Sequence, residues 1–175
     1  MENEYIEPAS VKKVAMKWGL ILGLISVALG MIWQLAGLAA ESWTGWVNLL
    51  PLSVVMYLAH KEFKESGDGF MSYGQGLGIG TLMSLIAGLI GGAFSYIYIS
   101  FIDNSVIQQS MDNAYQSWEA QGLNDSQIAQ AEKFTEFFLN PSVISIFAIL
   151  FTVFFGFIVS LIVSAITKNS RPDFA

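Results

Sequence analysis

Four stretches of the chain are apolar on every side rather than along one face: Trp18 to Ala40, Trp43 to Ala59, Leu77 to Ile102 and Val143 to Thr167. Water does not tolerate such runs, whereas a bilayer does, and about 20 residues of helix cross its hydrocarbon core. The pattern predicts an all-α fold, a bundle of four transmembrane helices (18–40, 43–59, 77–102 and 143–167) in a single membrane domain, 1–175. The fourth run is the strongest. Seventeen of its residues are Leu, Ile, Val or Phe, worth roughly 5–8 kcal/mol of insertion energy before polar costs. The second is the weakest, because it contains Asn48 and Pro51. Pro51 cannot donate to the carbonyl of Val47, so a helix beginning near Trp43 should kink there.

Between the third and fourth runs the period changes. Ile107, Met111, Ala114, Tyr115 and Trp118 recur at spacings of three and four, as do Ile128, Ala131, Phe134 and Phe138. Segment 103–140 therefore reads as a helical insertion, an extracytoplasmic hairpin. No Gly or Pro lies between Ile102 and Gln121, so the third helix is expected to run on to about Gln121. It should reverse at Gly122, with Asn124 or Asp125 capping a second helix that ends near Leu139. Asn140 and Pro141 then open the fourth span.

Composition agrees with a membrane setting. Of 175 residues, 54% are hydrophobic and only 13% charged, with a mean hydropathy of +0.54. Soluble domains carry about a quarter charged residues. The amino terminus, with three lysines before an apolar run, looks like a signal peptide, but the run far exceeds the usual 7–15 residues. It reads as an uncleaved first span.

Charge then sets orientation. Lys12, Lys13, Lys17, Lys61, Lys64, Lys168 and Arg171 fall on one side, and only Lys133 on the other. The positive-inside rule makes the first side cytoplasmic, both termini included. Glu41, Asp103, Asp112, Glu119, Asp125, Glu132 and Glu136 lie outside, while a Glu-rich amino-terminal tail adds acid inside. The net charge of −6 leaves no basic face for nucleic acid.

Candidate chemistry is sparse. With no cysteine and one histidine, thiolate sites, histidine metal clusters and cysteine nucleophiles are absent. His60 reads as an interfacial residue with a solvated tip, and no span interior holds an ionisable group. No catalytic, cofactor or metal residue is expected, and no enzyme. Gln34 and Asn48 are the intramembrane polar residues, at similar depth, and a hydrogen bond between them is the plain expectation. A substrate contact is the sharper alternative. Gly76, Gly80, Ser84, Gly88 and Gly92 recur every four residues, and Thr152, Gly156, Ser160 and Ser164 give the fourth run a matching stripe. Such small faces let membrane helices approach closely, either within one molecule or as a homodimer seam. The alternation Gly74, Gly76, Gly78, Gly80 allows a phosphate loop or broken helix, but fits neither nucleotide fingerprint.

The stretch from Phe70 through Ser72, Tyr73, Gly74, Gln75, Gly76 and Gly78 to Gly80, and the polar helices closing on Asn140 and Pro141, carry a resemblance. With the four-run layout and the Lys168 tail, the chain resembles a bacterial integral-membrane family catalogued as a domain of unknown function, number four-one-nine-nine. The resemblance spans about Val14 to Lys168. It implies a multi-pass protein of the bacterial inner membrane and brings no activity or cofactor. The expected role is a structural, accessory or interaction module, whose partners are the bilayer, another membrane or periplasmic protein, or further copies of itself. A small oligomeric transporter or channel subunit is the alternative. Proton- and ion-coupled carriers usually keep an acidic residue inside a span, and none is visible here.

Overall fold

A computed structural model describes residues 10–38 and 41–171. The Glu-rich tail and the Ala39–Ala40 end of the first run lie outside the described residues. The chain forms seven helices among them: α1 (Val11–Leu35), α2 (Ser42–Val47), α3 (Leu49–Glu65), α4 (Tyr73–Phe101), α5 (Ser105–Ala120), α6 (Asp125–Phe138) and α7 (Pro141–Thr167). Three of them, α1, α4 and α7, are long and apolar enough to cross a membrane. Their outward faces are bare hydrocarbon: Leu150, Phe154, Ile162 and Ile166 of α7 are all more than half exposed. Water would penalise such a surface, and lipid does not. This is a membrane protein.

Helix ends follow local chemistry. Ser10 caps α1 by accepting from Lys13 N, and Gly37 stops the helix earlier than the run of apolar residues suggests. Its φ of +70° belongs to the left-handed region, and Leu38 N then bonds back to Trp33 O at 2.8 Å. Ser72 and Gln75 form a reciprocal capping box at the start of α4, and Asn124 with Gln127 forms another at α6. Asn140 caps α7, with Pro141 in its first turn. The second apolar run is divided. The backbone stays right-handed through Asn48, yet the next ladder bond, Leu52 N to Asn48 O, is long at 3.5 Å. Pro51 sits in the first turn of α3, whose 17 residues end in charge.

The expected continuous helix from the third run to Gln121 is not present. It breaks after Phe101, and α5 begins at Ser105. Asp103 is the cause: its Oδ1 accepts from Ser105 N at 2.8 Å, while Asp103 N reaches back to Tyr98 O at 3.0 Å. An Asp side chain that satisfies the amide two residues on offers the backbone an alternative to the helix. Apolar periodicity cannot register that competition.

Helices α1, α3, α4 and α7 pack side by side, with α4 touching the other three. Their shared core is Val14, Ala15 and Leu22 of α1, Leu52, Val55, Met56, Ala59 and Phe63 of α3, and Ile79, Met83 and Ala87 of α4, with Met71 beneath. The start of α1, the ends of α3 and α7 and the start of α4 lie together; this is the basic end. There Met71 and Asn169 exchange two backbone hydrogen bonds of 2.9 Å, and Arg171 pairs with Asp68.

Candidate functional site: a buried histidine where three helices meet

The small residues of α4 face α7. A Cβ placed on Gly76 would lie 2.8 Å from Ser164 Oγ, and one on Gly80 would lie 2.7 Å from Ser160 Cβ. One on Gly156 would collide with Ser84, one on Gly88 would meet Thr152 Cβ at 3.3 Å, and one on Gly92 would strike Ile149. Gly80, Gly156, Ser84, Ser160 and Ser164 are all buried. Serines in this seam use backbone carbonyls: Ser84 Oγ donates to Gly80 O at 2.8 Å, and Ser160 Oγ reaches across to Leu77 O at 3.3 Å. Thr152 similarly bonds back to Ala148 O. Gly74, by contrast, has open space around it. All four alternating glycines, 74 to 80, lie within α4 rather than in a loop or a broken helix.

Next to this seam stands His60, and it corrects the expectation of a solvated tip. Its relative exposure is 0%. Nδ1 lies 2.8 Å from Thr167 Oγ1 at the end of α7, and Nε2 lies 3.0 Å from Gly76 O at the start of α4. One side chain on α3 thus ties together the start of α4 and the end of α7, which lie side by side. A carbonyl only accepts, so Nε2 must carry a proton. Thr167 Oγ1 has two options: it lies 2.7 Å from Val163 O, to which it can donate, or it can turn its hydrogen toward Nδ1. The first option suits a doubly protonated ring and the second a neutral one. Both charge states therefore find their hydrogen bonds in the same pocket. Close by, Lys64 Nζ donates to Thr167 O at 3.2 Å, and the buried Ser164 Oγ has no partner among the described residues.

Sequence reasoning passed over His60, although a signal existed. Leu52, Val55, Met56, Ala59 and Phe63 recur at helical spacing along the buried face of α3, and residue 60 falls on that face. The neighbouring lysines and Glu62 suggested solvent. Glu62 turns away toward α1, where its Oε2 accepts from Lys17 Nζ at 2.6 Å and Trp18 Nε1 at 3.0 Å, whereas Lys64 stays on the His60 side and bonds Thr167 O.

Gln34 and Asn48 do not meet. Gln34 Nε2 donates to Asp103 Oδ2 at 3.2 Å, while Asn48 Oδ1 accepts from Trp33 Nε1 at 3.2 Å. The reason is placement: α1 lies against α4, whose far end brings Asp103 to Gln34 before α2 can. Three hydrogen bonds, from the Ser105 amide, the Ser105 hydroxyl and Gln34, hold the Asp103 carboxyl below the usual carboxylate range. Asn48 and Pro51 instead line a cavity of about 470 Å³ bordered by Leu22, Trp46, Phe151 and Thr152. In α5 and α6, Tyr115 hydrogen-bonds Glu132, which raises the phenol above its ordinary range. Among the described residues no three side chains of His, Asp or Glu converge.

A family model described as "Protein of unknown function (DUF4199)" matches residues 17–169. The chain belongs to the DUF4199 family. The match runs from within α1 to just past the end of α7, the His60 pocket included. No curated protein matches the chain, and no solved structure does.

Proposed function

We propose that this DUF4199 protein is a non-enzymatic, four-span protein of the bacterial inner membrane with both termini in the cytoplasm. The kinked α2–α3 unit supplies the fourth crossing beside α1, α4 and α7. In this reading the protein acts as a structural or accessory module, and α5 and α6 form a polar hairpin offered to a partner on the periplasmic side. The observation that carries the reading is the separation of charge along the helix axes. Lys17, Lys61, Lys64, Lys168 and Arg171 gather at the basic end, whereas Asp103, Asp112, Glu119, Glu132 and Glu136 stand at or beyond the far ends of α4 and α7. Lysines and arginines near span ends orient a membrane protein, and an acidic outer pair suits recognition of a basic or polar partner better than insertion into headgroups. Reporter fusions after Ser66, Gln121 and Ala175 test the topology. Inside, outside and inside are expected, and an outside reading at Ala175 overturns it.

A second reading, a small oligomeric transporter or channel subunit, draws support from His60. Ionisable groups buried among membrane helices often mark proton or ion pathways. Proteoliposome flux that responds to a pH gradient and vanishes in His60→Gln would favour it over the accessory role.

A further inference from the structure

At the basic end, the last turns of α3 and α7 border an open cleft of about 560 Å³. Its upper wall is cationic. Lys64 Nζ is fixed over the end of α7 by its bond to Thr167 O, and an ammonium has three protons, so two remain for another acceptor. Lys168 lines the same cleft, is exposed, and has no ion pair among the described residues. The one acid on the cleft, Glu65, lies 3.7 Å from Lys61 on the flank, and Arg171 is already matched by Asp68. Below the lysines the wall turns apolar and outward: Tyr57 is 52% exposed and Ile166 75%. A cationic shelf above bare hydrocarbon-facing side chains is the profile of a phospholipid turned headgroup-up against the protein.

We propose that this cleft binds the phosphate-bearing headgroup of an anionic membrane lipid between Lys64 and Lys168, with the lipid's chains lying along Tyr57 and Ile166. The proposal rests on the membrane placement given above, but not on which side of the membrane the basic end faces. Charge complementarity selects the occupant. A zwitterionic lipid brings its own ammonium to the two lysines, and a soluble phosphate leaves the apolar wall uncovered. Binding would also tighten the joint between α3 and α7, because Lys64 and Thr167 belong to it and Thr167 is the partner of His60.

Native mass spectrometry of the full chain in mild detergent, titrated with phosphatidylglycerol or phosphatidylcholine, tests this. One phosphatidylglycerol per chain should bind at least tenfold more tightly than phosphatidylcholine. Near a membrane surface each lysine is worth about fivefold in affinity, so Lys168→Gln should weaken that event about fivefold and the double variant with Lys64→Gln roughly 25-fold. Lys12→Gln removes the same charge from the same end of the molecule but not from the cleft, and should change binding less than twofold. An equal loss in Lys12→Gln, equal binding of the two lipids, or displacement of the lipid by millimolar inorganic phosphate each overturns the proposal. Lys168 is exposed, so its variant keeps the test intact even if Lys64→Gln fails to fold. The topology fusions report independently. Inverted fusions with intact lipid binding would refute the orientation alone.

Discussion

The tightest joint in the molecule is that between α4 and α7, and Gly156→Ala probes it most directly. A methyl at position 156 would overlap Ser84 Oγ and Ser84 Cβ, and Ser84 cannot withdraw, because its hydroxyl is bonded to Gly80 O and its exposure is 0%. The helices must separate or one must rotate. Overpacking of this kind costs about 1–3 kcal/mol. Replacing Gly by Ala inside a helix returns about 0.5–1 kcal/mol of backbone entropy, leaving a net loss of up to about 2.5 kcal/mol. Gly91→Ala serves as the control: it gains the same entropy, and nothing lies within 4 Å of its added methyl. It should be neutral or mildly stabilising. Ser84→Gly removes both atoms that the methyl added at position 156 would strike, so the double variant should recover at least 1 kcal/mol relative to the sum of the single changes. The assay is reversible unfolding of the detergent-solubilised protein with an increasing fraction of sodium dodecyl sulfate, followed by circular dichroism. If Gly156→Ala is as benign as Gly91→Ala, or if Ser84→Gly adds independently, the two helices are not held by this seam.

Other perturbations follow from the same geometry. His60→Ala should destabilise the protein by about 3 kcal/mol in that unfolding assay, since a buried ring is lost and Gly76 O and Thr167 lose a partner. His60→Phe keeps volume without hydrogen bonds, and should lose about 1–2 kcal/mol; wild-type stability would mean the polar tie is dispensable. The Tyr115 phenol is raised by its bond to Glu132, so the link between α5 and α6 is fully present below pH 10 and is lost as pH rises beyond that. Protection factors in α5 and α6, taken against the intrinsic exchange rate at each pH, should fall on alkaline titration, and Tyr115→Phe should abolish that fall. The Asp103 carboxyl is depressed, so its bonds to Gln34 and Ser105 persist above the ordinary carboxylate value of 3.8 and fail as pH falls beneath it. The protection factor at Ser105 N reports this, with Asp103→Ala as the variant whose protection should show no acid transition.

Which features were readable from sequence depended on how local their physics is. Long apolar runs located α1, α4 and α7, because burial in lipid needs nothing from the rest of the chain. Caps were equally local: Asn124, Asn140 and Pro141 mark helix starts through their own side chains and ring geometry. The break at Asp103 was also local but hidden, since an apolar-period argument gives no weight to an aspartate that prefers a neighbouring amide. Gln34 and Asn48 failed for a different reason. Depth along two helices says which residues share a layer, and not which helix turns toward which. The partner of Gln34 came from residue 103, a long way along the chain, once α4 had packed on α1. His60 shows both effects together. Its place on the buried face of α3 was written in the spacing of Val55, Met56, Ala59 and Phe63, whereas its partners come from the start of α4 and the end of α7, which only the fold brings together.

His60 removes the simplest argument against a carrier, that no ionisable group lies among the helices, yet its surroundings argue for the accessory reading on other grounds. A coupled carrier needs its titratable group to face the space through which substrate moves. The cavity of about 470 Å³ is lined by residues such as Leu22, Asn48, Pro51 and Phe155, and His60 is not among them. The ring instead spends both nitrogens on Gly76 and Thr167, holding α3 against α4 and α7. Bringing it to the cavity would require α3 to leave that pair, while the glycine and serine seam keeps α4 and α7 together. The long Asn48 ladder bond and Pro51 loosen the join between α2 and α3, whereas Leu52, Val55 and Met56 bury α3 in the shared core. His60 thus ties α3 to the α4–α7 pair. Spin labels at the exposed Tyr57 of α3 and Ile166 of α7 should report one narrow distance distribution if α3 stays docked on α7. A second, longer distance that appears together with a measured flux would favour the carrier reading instead.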